Sequence, residues 1–90
     1  MSARFYRHLD GGYYRFVSDA MSADTDSPVI IYEHLWPFEP GLWVRARADF
    51  LARFSPVEAA EVDAACAGER SAAQAAVNAA KARRRAAKPA

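Results

Sequence analysis

The chain has one cysteine and no long hydrophobic run. The single thiol among 90 residues, that of Cys66, excludes an internal disulfide and favours a reducing cytoplasm. The longest run of bulky apolar residues, positions 29–32, is far shorter than the ~18 residues of a membrane-spanning helix. No stretch joins a charged start to a long apolar segment, as a signal peptide does. We therefore expect a cytoplasmic protein with no membrane contact.

Large side chains are almost absent from the last third of the chain. Alanine fills 15 of the 32 positions 59–90, whereas all eleven Phe, Tyr and Trp residues lie between Phe5 and Phe54. The core must come from the first 54 residues, and a core of that size rarely supplies more than about 3–5 kcal/mol. We predict a small domain at residues 1–54 and a helical, alanine-rich, basic extension at residues 55–90.

Negative charge is scarce in the tail. Residues 1–68 carry six arginines against ten acidic residues, a net −4, whereas residues 69–90 carry six Lys and Arg against Glu69 alone, a net +5. Such alanine-and-basic segments hold nucleic acid by charge alone, which makes binding weak, salt-sensitive and sequence-blind. A solvated terminal helix explains the same pattern. The candidate nucleic-acid residues are Lys81, Arg83, Arg84, Arg85 and Lys88.

The first 54 residues show four short strand patterns. The predicted strands cover residues 4–8, 13–20, 29–35 and 41–45. The sequence DGG at residues 10–12 is a strong turn signal, because such turns often need a positive φ. Residues 21–28 form a polar loop, and Pro37 and Pro40 exclude regular structure before the last strand. Four short strands with an aromatic core favour a small barrel over a sandwich.

The sequence GLWVR at residues 41–45 is the apolar centre of this pattern. A strand there puts Leu42 and Val44 on one face. Trp43 and Arg45 then lie on the other face. Because neither face is plainly polar, we expect an inner strand of the sheet, with Trp43 buried at the centre of the barrel.

The residues that follow the strands favour helices. The sequence SPVE at residues 55–58 combines a serine cap, a proline suited to the first turn and a glutamate that completes a capping box. This helix should run to about Cys66 and stop at Gly68. A second capping box at residues 71–74 begins another helix. Val77 is the only bulky apolar residue of that second helix, so we expect it to be marginal and mobile.

The motifs, taken in order, resemble one known family, domain of unknown function 1653. They are YRH at residues 6–8, the GG turn at residues 11–12, a strand that reaches Tyr32, and WVR at residues 43–45 with Phe50 close behind. The resemblance covers residues 4–50. It implies a short bacterial protein with a mainly β fold, a small SH3-like β-barrel of four to five short strands, here followed by an α-helical C-terminal extension. The family brings no established activity.

Two positions depart from the family pattern. Proline usually follows WVR and leucine comes next, whereas this chain has Ala46 and Arg47. The family often continues into another strand, where this chain has the predicted helix start at residues 55–58. The existence of a fifth strand is therefore left open.

No constellation of catalytic or metal-binding residues is recognisable. His8, His34 and Cys66 lack the paired spacing of zinc ligands. No serine or cysteine stands in a nucleophile motif, and the two glycines at residues 11–12 lack the rest of a phosphate-binding loop. We predict that the protein is not an enzyme and has no metal or cofactor.

The aromatic residues are too many for the interior of so small a barrel, so some should reach the surface. Trp36 and Phe38 on the proline-containing loop are the first candidates, since small barrels use such loops to hold extended peptides. The alternative is that Trp36 folds back as a cap over an open end of the barrel.

Tyr6, His8 and Arg45 are the second candidate site, because the family motifs would bring them together on neighbouring strands. Arg45 would be a fork-shaped donor for a carboxylate or phosphate. The alternative is a cross-strand hydrogen bond, or an ion pair to Asp10 or Asp49.

These candidates predict a small binding or interaction module that recognises a protein or peptide partner through an aromatic surface. The second hypothesis is a weak, sequence-independent nucleic-acid-associated protein that acts through its basic tail. The oligomeric state stays open.

Overall fold

The computed structural model describes residues 4–87. They form one five-stranded antiparallel sheet and three helices. The strands are β1 Phe5–His8, β2 Tyr13–Met21, β3 Pro28–Trp36, β4 Gly41–Ala46 and β5 Phe54–Val57. The helices are α1 Arg47–Arg53, α2 Ala59–Cys66 and α3 Arg70–Ala87. The strand order is β4-β3-β2-β1-β5, so β1 to β4 form a meander and β5 returns beside β1.

The turn between β1 and β2 depends on its two glycines. The His8 N–H donates to the Gly12 carbonyl at 2.9 Å, and the Gly11 N–H donates to the His8 carbonyl at 2.8 Å. Gly11 has a φ of +107°, which a residue with a Cβ rarely adopts. At Gly12 a Cβ would lie 2.5 Å from the Phe38 ring. The predicted turn is confirmed, and it brings Phe38 against the start of β2.

The core is a cluster of aromatic rings on one face of the sheet. Phe50 is 1% exposed and stacks on Phe54, with ring centroids 4.2 Å apart and planes 8° apart. The Tyr14 ring packs on the Phe54 ring in a T-shaped contact, with centroids 4.9 Å apart. The Tyr32 ring packs on it at a tilt, with centroids 5.5 Å apart. Ile30 completes the buried cluster. The face that carries Tyr14 and Tyr32 is called the inner face below.

The mainly β fold with a helical C-terminal extension is confirmed. A fifth strand is present, although three of its four residues lie beyond the predicted domain boundary at residue 54. The SH3-like barrel stays a prediction, because within residues 4–87 the outer edges of β4 and β5 pair with no further strand and the ladder closes no ring.

The predicted helix start at Ser55 is wrong, because residues 55–57 belong to β5. Ser55 and Pro56 pair with Arg7 and Tyr6 of β1. Two constraints favour the strand: the residue before a proline is biased toward extended backbone, and a proline is tolerated in an edge strand. Glu58 then precedes α2, which begins at Ala59 and ends at Cys66, as expected.

The predicted inner position of β4 is also wrong. β4 lies at one edge of the sheet and pairs only with β3 among the described strands. Trp43 is 54% exposed, and Leu42 and Val44 are also exposed. The bulky apolar sequence of the strand suggested burial, but the large side chain that fills the core is Phe50 of α1, a helix that the sequence did not predict.

The helix α3 begins one residue before the predicted capping box. The side chain of Glu69 accepts from the backbone N–H groups of Ser71 at 3.0 Å and Ala72 at 2.6 Å. These hydrogen bonds lower the pKa of the Glu69 carboxyl. Glu69 therefore caps the first turn in place of Ser71. The predicted mobility of α3 stays a prediction.

Phe50→Ala should destabilise the protein by about 3–5 kcal/mol, because it removes the most buried large side chain and leaves a cavity. Leu51→Ala is a matched control on the same helix. Its side chain is 59% exposed, so its cost should stay within about 1 kcal/mol. Urea unfolding followed by circular dichroism measures both variants, and equal costs would contradict the assigned core.

Candidate functional site

A cleft of about 700 Å³ lies between the inner face of the sheet and α3. Its floor comes from β1 to β4, the β1–β2 turn, the loop after β3 and the end of α1, and its wall comes from residues 74–85 of α3. Aromatic rings dominate the floor, whereas basic and amide side chains form the wall. The floor residues are His8, Asp10, Tyr14, Tyr32, His34, Phe38, Trp43, Arg45 and Arg53; the wall residues are Gln74, Val77, Asn78, Lys81, Arg84 and Arg85.

The floor is a continuous set of aromatic contacts. Tyr14 stacks with Phe38 at 5.6 Å and meets the edge of His34 at 5.2 Å. His34 in turn stacks on Trp43, with centroids 4.9 Å apart and planes only 12° apart. Burial raises the pKa of the Tyr14 hydroxyl and lowers that of the His34 imidazole, so both groups are neutral near pH 7. The rings of the floor therefore offer aromatic surface without charge.

His8 and Asp10 form a buried polar pair at the β1–β2 turn. The Asp10 N–H donates to His8 Nδ1 at 3.0 Å, and the Asp10 carboxylate lies 3.5 Å from the same nitrogen. Because Nδ1 accepts, it carries no proton. Burial lowers the pKa of His8, although the Asp10 charge opposes this shift. The imidazole is therefore held neutral in the folded protein.

Asp49 of α1 connects two arginines beside the floor. Arg45 Nη1 lies 2.7 Å from Asp49 Oδ2, and Arg53 Nε lies 2.8 Å from Asp49 Oδ1. Arg45 also donates to the Tyr32 hydroxyl at 3.3 Å. The hydrogen bond from Arg45 lowers the pKa of Asp49, which keeps this carboxylate ionised. One of the predicted alternatives for Arg45, an ion pair with Asp49, is thus present in the structure.

The helix α3 is held against the sheet at three places. Near its start, Arg70 Nε donates to the Pro37 carbonyl at 3.0 Å. In the middle, Val77 is buried, and a Cβ on Gly11 would lie 3.9 Å from its Cγ2 atom. Near its end, Arg84 donates two hydrogen bonds, of 2.9 and 3.1 Å, to the Asp10 carboxylate. The guanidinium of Arg84 lowers the pKa of Asp10 and so keeps this pair charged.

The charge that lines the cleft is strongly positive. Five basic side chains line it, against Asp10 as its one acidic lining residue in the described range. Arg45, Arg53 and Arg84 are all paired with carboxylates. Lys81 and Arg85 form no ion pair with any of residues 4–87 and are exposed to solvent. Asp49 balances only one of its two arginines, so one positive charge remains beside the floor, and the charges of Lys81 and Arg85 lie on α3.

The structure brings together only some of the sequence-predicted site residues. His8, Phe38 and Arg45 line the cleft with Lys81, Arg84 and Arg85. Tyr6 instead packs edge-on against Phe50 at 5.0 Å, and Trp36 is half-buried opposite Tyr13 and does not line the cleft. Arg83 is exposed and does not line the cleft, and Lys88 lies outside the described residues.

The expectation that Tyr6, His8 and Arg45 lie on neighbouring strands is wrong. β1 and β4 are separated by β2 and β3. His8 and Arg45 nevertheless line the same cleft, because both side chains lie on the inner face of the sheet.

Several cleft residues were not predicted as site residues from the sequence. A helical stripe on α3 could have revealed two of them, Gln74 and Asn78, since they share one helix face with the predicted Lys81 and Arg85. Val77 lies on the same side and is the one bulky apolar residue of this helix. Its burial against the sheet therefore also aims the amides and basic residues at the cleft.

No group of three His, Cys, Asp or Glu side chains is close enough to hold a metal ion within residues 4–87. None of the helices in this part of the chain has the length and apolar character needed to cross a membrane.

The stability of the protein should fall as the pH decreases below about 6.5. The unfolded chain takes up protons on His8 and His34 near that pH, whereas the fold lowers both pKa values and resists protonation. Asp10 and Asp49 have lowered pKa values and stay ionised in this range. The free energy of unfolding in urea should therefore be smaller at about pH 5.5 than at about pH 7.5.

Histidine variants test whether His8 and His34 cause this pH dependence of stability. His8→Asn and His34→Asn should each remove part of the difference between the two pH values, and the double variant should remove most of it. A parent protein that is equally stable at both pH values would contradict the buried, neutral state of these imidazoles.

The comparison with protein families agrees with the sequence motifs. A family model described as "Protein of unknown function (DUF1653)" matches residues 4–63, two thirds of the chain. No curated protein and no solved structure matches the chain. The matched segment contains all five strands and α1, and thus the floor of the cleft, whereas α3 follows it. The chain belongs to the DUF1653 family of proteins of unknown function.

Proposed function

We propose that this protein is a small binding module that holds an anionic ligand between the aromatic floor of the cleft and the basic wall of α3. One observation carries the proposal. The aromatic candidate Phe38 and the basic candidates Lys81 and Arg85, which belong to separate hypotheses in the sequence, line a single cleft. A ligand there would meet aromatic surface and positive charge at the same time.

The ion pairs around the cleft support a preformed site. Arg45 and Arg84 are already oriented by Asp49 and Asp10, so little conformational entropy is lost when a ligand binds beside them. Lys81 and Arg85 have no carboxylate partner within residues 4–87, so their charge is fully available to a ligand. A cleft whose charged lining is mostly positive also raises the local concentration of negatively charged ligands.

The proposal restricts the protein, peptide or nucleic-acid partners predicted from the sequence to those that carry anionic groups. A protein or peptide partner would have to present acidic or phosphorylated groups, and a nucleic acid would present phosphates. The protein need not be an enzyme to act in this way. The cytoplasm remains the predicted compartment, which the single exposed and unpaired Cys66 supports.

A pair of charge-removing variants tests the proposal with inorganic pyrophosphate as the probe. Lys81→Gln combined with Arg85→Gln should weaken binding about tenfold or more in calorimetry, because hydrogen bonds to charged groups contribute about 1.5–3 kcal/mol each. Binding should also weaken as salt is added.

The matched control is Arg47→Gln combined with Arg83→Gln. This variant removes the same charge at two exposed positions that do not line the cleft, so its affinity should stay within about twofold of the parent. If both double variants lose affinity equally, binding depends on net charge alone and the cleft is not the site.

A further inference from the structure

Trp43 is a large aromatic residue that lines the cleft and is only half buried in the fold. Trp43 is 54% exposed, although its ring stacks on that of His34 with centroids 4.9 Å apart and planes 12° apart. The stack holds the indole plane in a fixed orientation before any ligand arrives. An exposed aromatic ring that is already oriented is a surface on which a second flat ring can stack.

Two amide side chains lie on the opposite wall. Gln74 Nε2 donates to Asn78 Oδ1 at 3.0 Å, and both residues line the cleft. This hydrogen bond orients the two amides, and the Gln74 oxygen and the Asn78 nitrogen have no further side-chain partner among residues 4–87. Amide groups offer both donor and acceptor atoms, which suits the hydrogen-bonding edge of a heterocyclic base.

The amides and the unpaired cations share one face of α3. Gln74, Asn78, Lys81 and Arg85 follow one another at helical spacing, so they form a stripe along the wall of the cleft. Amides come first along this stripe and positive charges follow. A ligand that lies along it would present a polar edge at one end and an anion at the other.

We infer that the cleft takes a nucleotide unit, in which a base stacks on Trp43 and its phosphate binds Lys81 and Arg85. The cleft volume of about 700 Å³ lies within the range of small-molecule sites. An acidic peptide would use the cations but would leave the open ring of Trp43 without a flat counterpart. This inference rests on the proposed function, because it names the ligand class of the same cleft.

Adenosine 5′-monophosphate (AMP) and ribose 5-phosphate are the matched probes, since they differ only in the base. In a Trp36→Phe background, whose fold is checked by circular dichroism, Trp43 is the only tryptophan. AMP should quench its fluorescence saturably. Ribose 5-phosphate should bind roughly tenfold more weakly in calorimetry, because it cannot stack.

Two variants separate the parts of the site. Trp43→Leu should weaken AMP binding roughly tenfold and leave ribose 5-phosphate binding unchanged, whereas Lys81→Gln with Arg85→Gln should weaken both. Arg83→Gln, on the same helix but outside the cleft lining, should change neither. A short single-stranded oligoadenylate identifies the source of the nucleotide unit. Tighter, more salt-sensitive binding than AMP indicates a single strand, and equal binding indicates a free nucleotide.

The possible failures are distinguishable. Equal affinity for AMP and ribose 5-phosphate would overturn the nucleotide inference while leaving an anion-binding cleft. Binding of a glutamate-rich peptide without binding of AMP would do the same. If AMP, pyrophosphate and the peptide all fail to bind, the inference and the proposed function are both wrong.

Discussion

The stacked pair of Phe50 and Phe54 is the constraint on which the rest of this small domain depends. The two rings lie 4.2 Å apart and nearly parallel, and the rings of Tyr14, Tyr32 and His8 pack around Phe54. Phe50 reaches the core from a short helix and Phe54 from the strand that follows it. Because both must lie inside, the chain after β4 turns inward and then runs extended beside β1, which completes the sheet.

The floor and the wall of the cleft differ in how firmly they are held by the core. Tyr14 and Tyr32 belong both to the core and to the floor, so the floor cannot rearrange without disturbing the fold. The wall is a helix attached through one buried apolar side chain, Val77, and the polar contacts of Arg70 and Arg84. Such a wall can adjust to a ligand at little cost in core packing, while the floor stays in place.

The local patterns predicted the β1–β2 turn, most of the strand positions and the helix end at Cys66, because these depend on neighbouring residues. They failed where tertiary contacts decide. Burial of Phe54 and pairing with β1 override the helix signal at Ser55, and the edge position of β4 exposes Trp43 despite its apolar neighbours. The cleft was not predicted for the same reason, since its floor and wall meet through tertiary contacts of Arg70, Val77 and Arg84 with residues far away in the sequence.

The packing of α3 against the sheet is the central claim, because the cleft exists only if the helix lies there. Nuclear Overhauser effects in the isotope-labelled protein test it directly. The Val77 methyl groups should show strong effects to the Gly11 α-protons, given that a Cβ on Gly11 would lie 3.9 Å from Val77 Cγ2. Absence of these effects, with backbone relaxation showing that α3 tumbles independently of the sheet, would contradict the account.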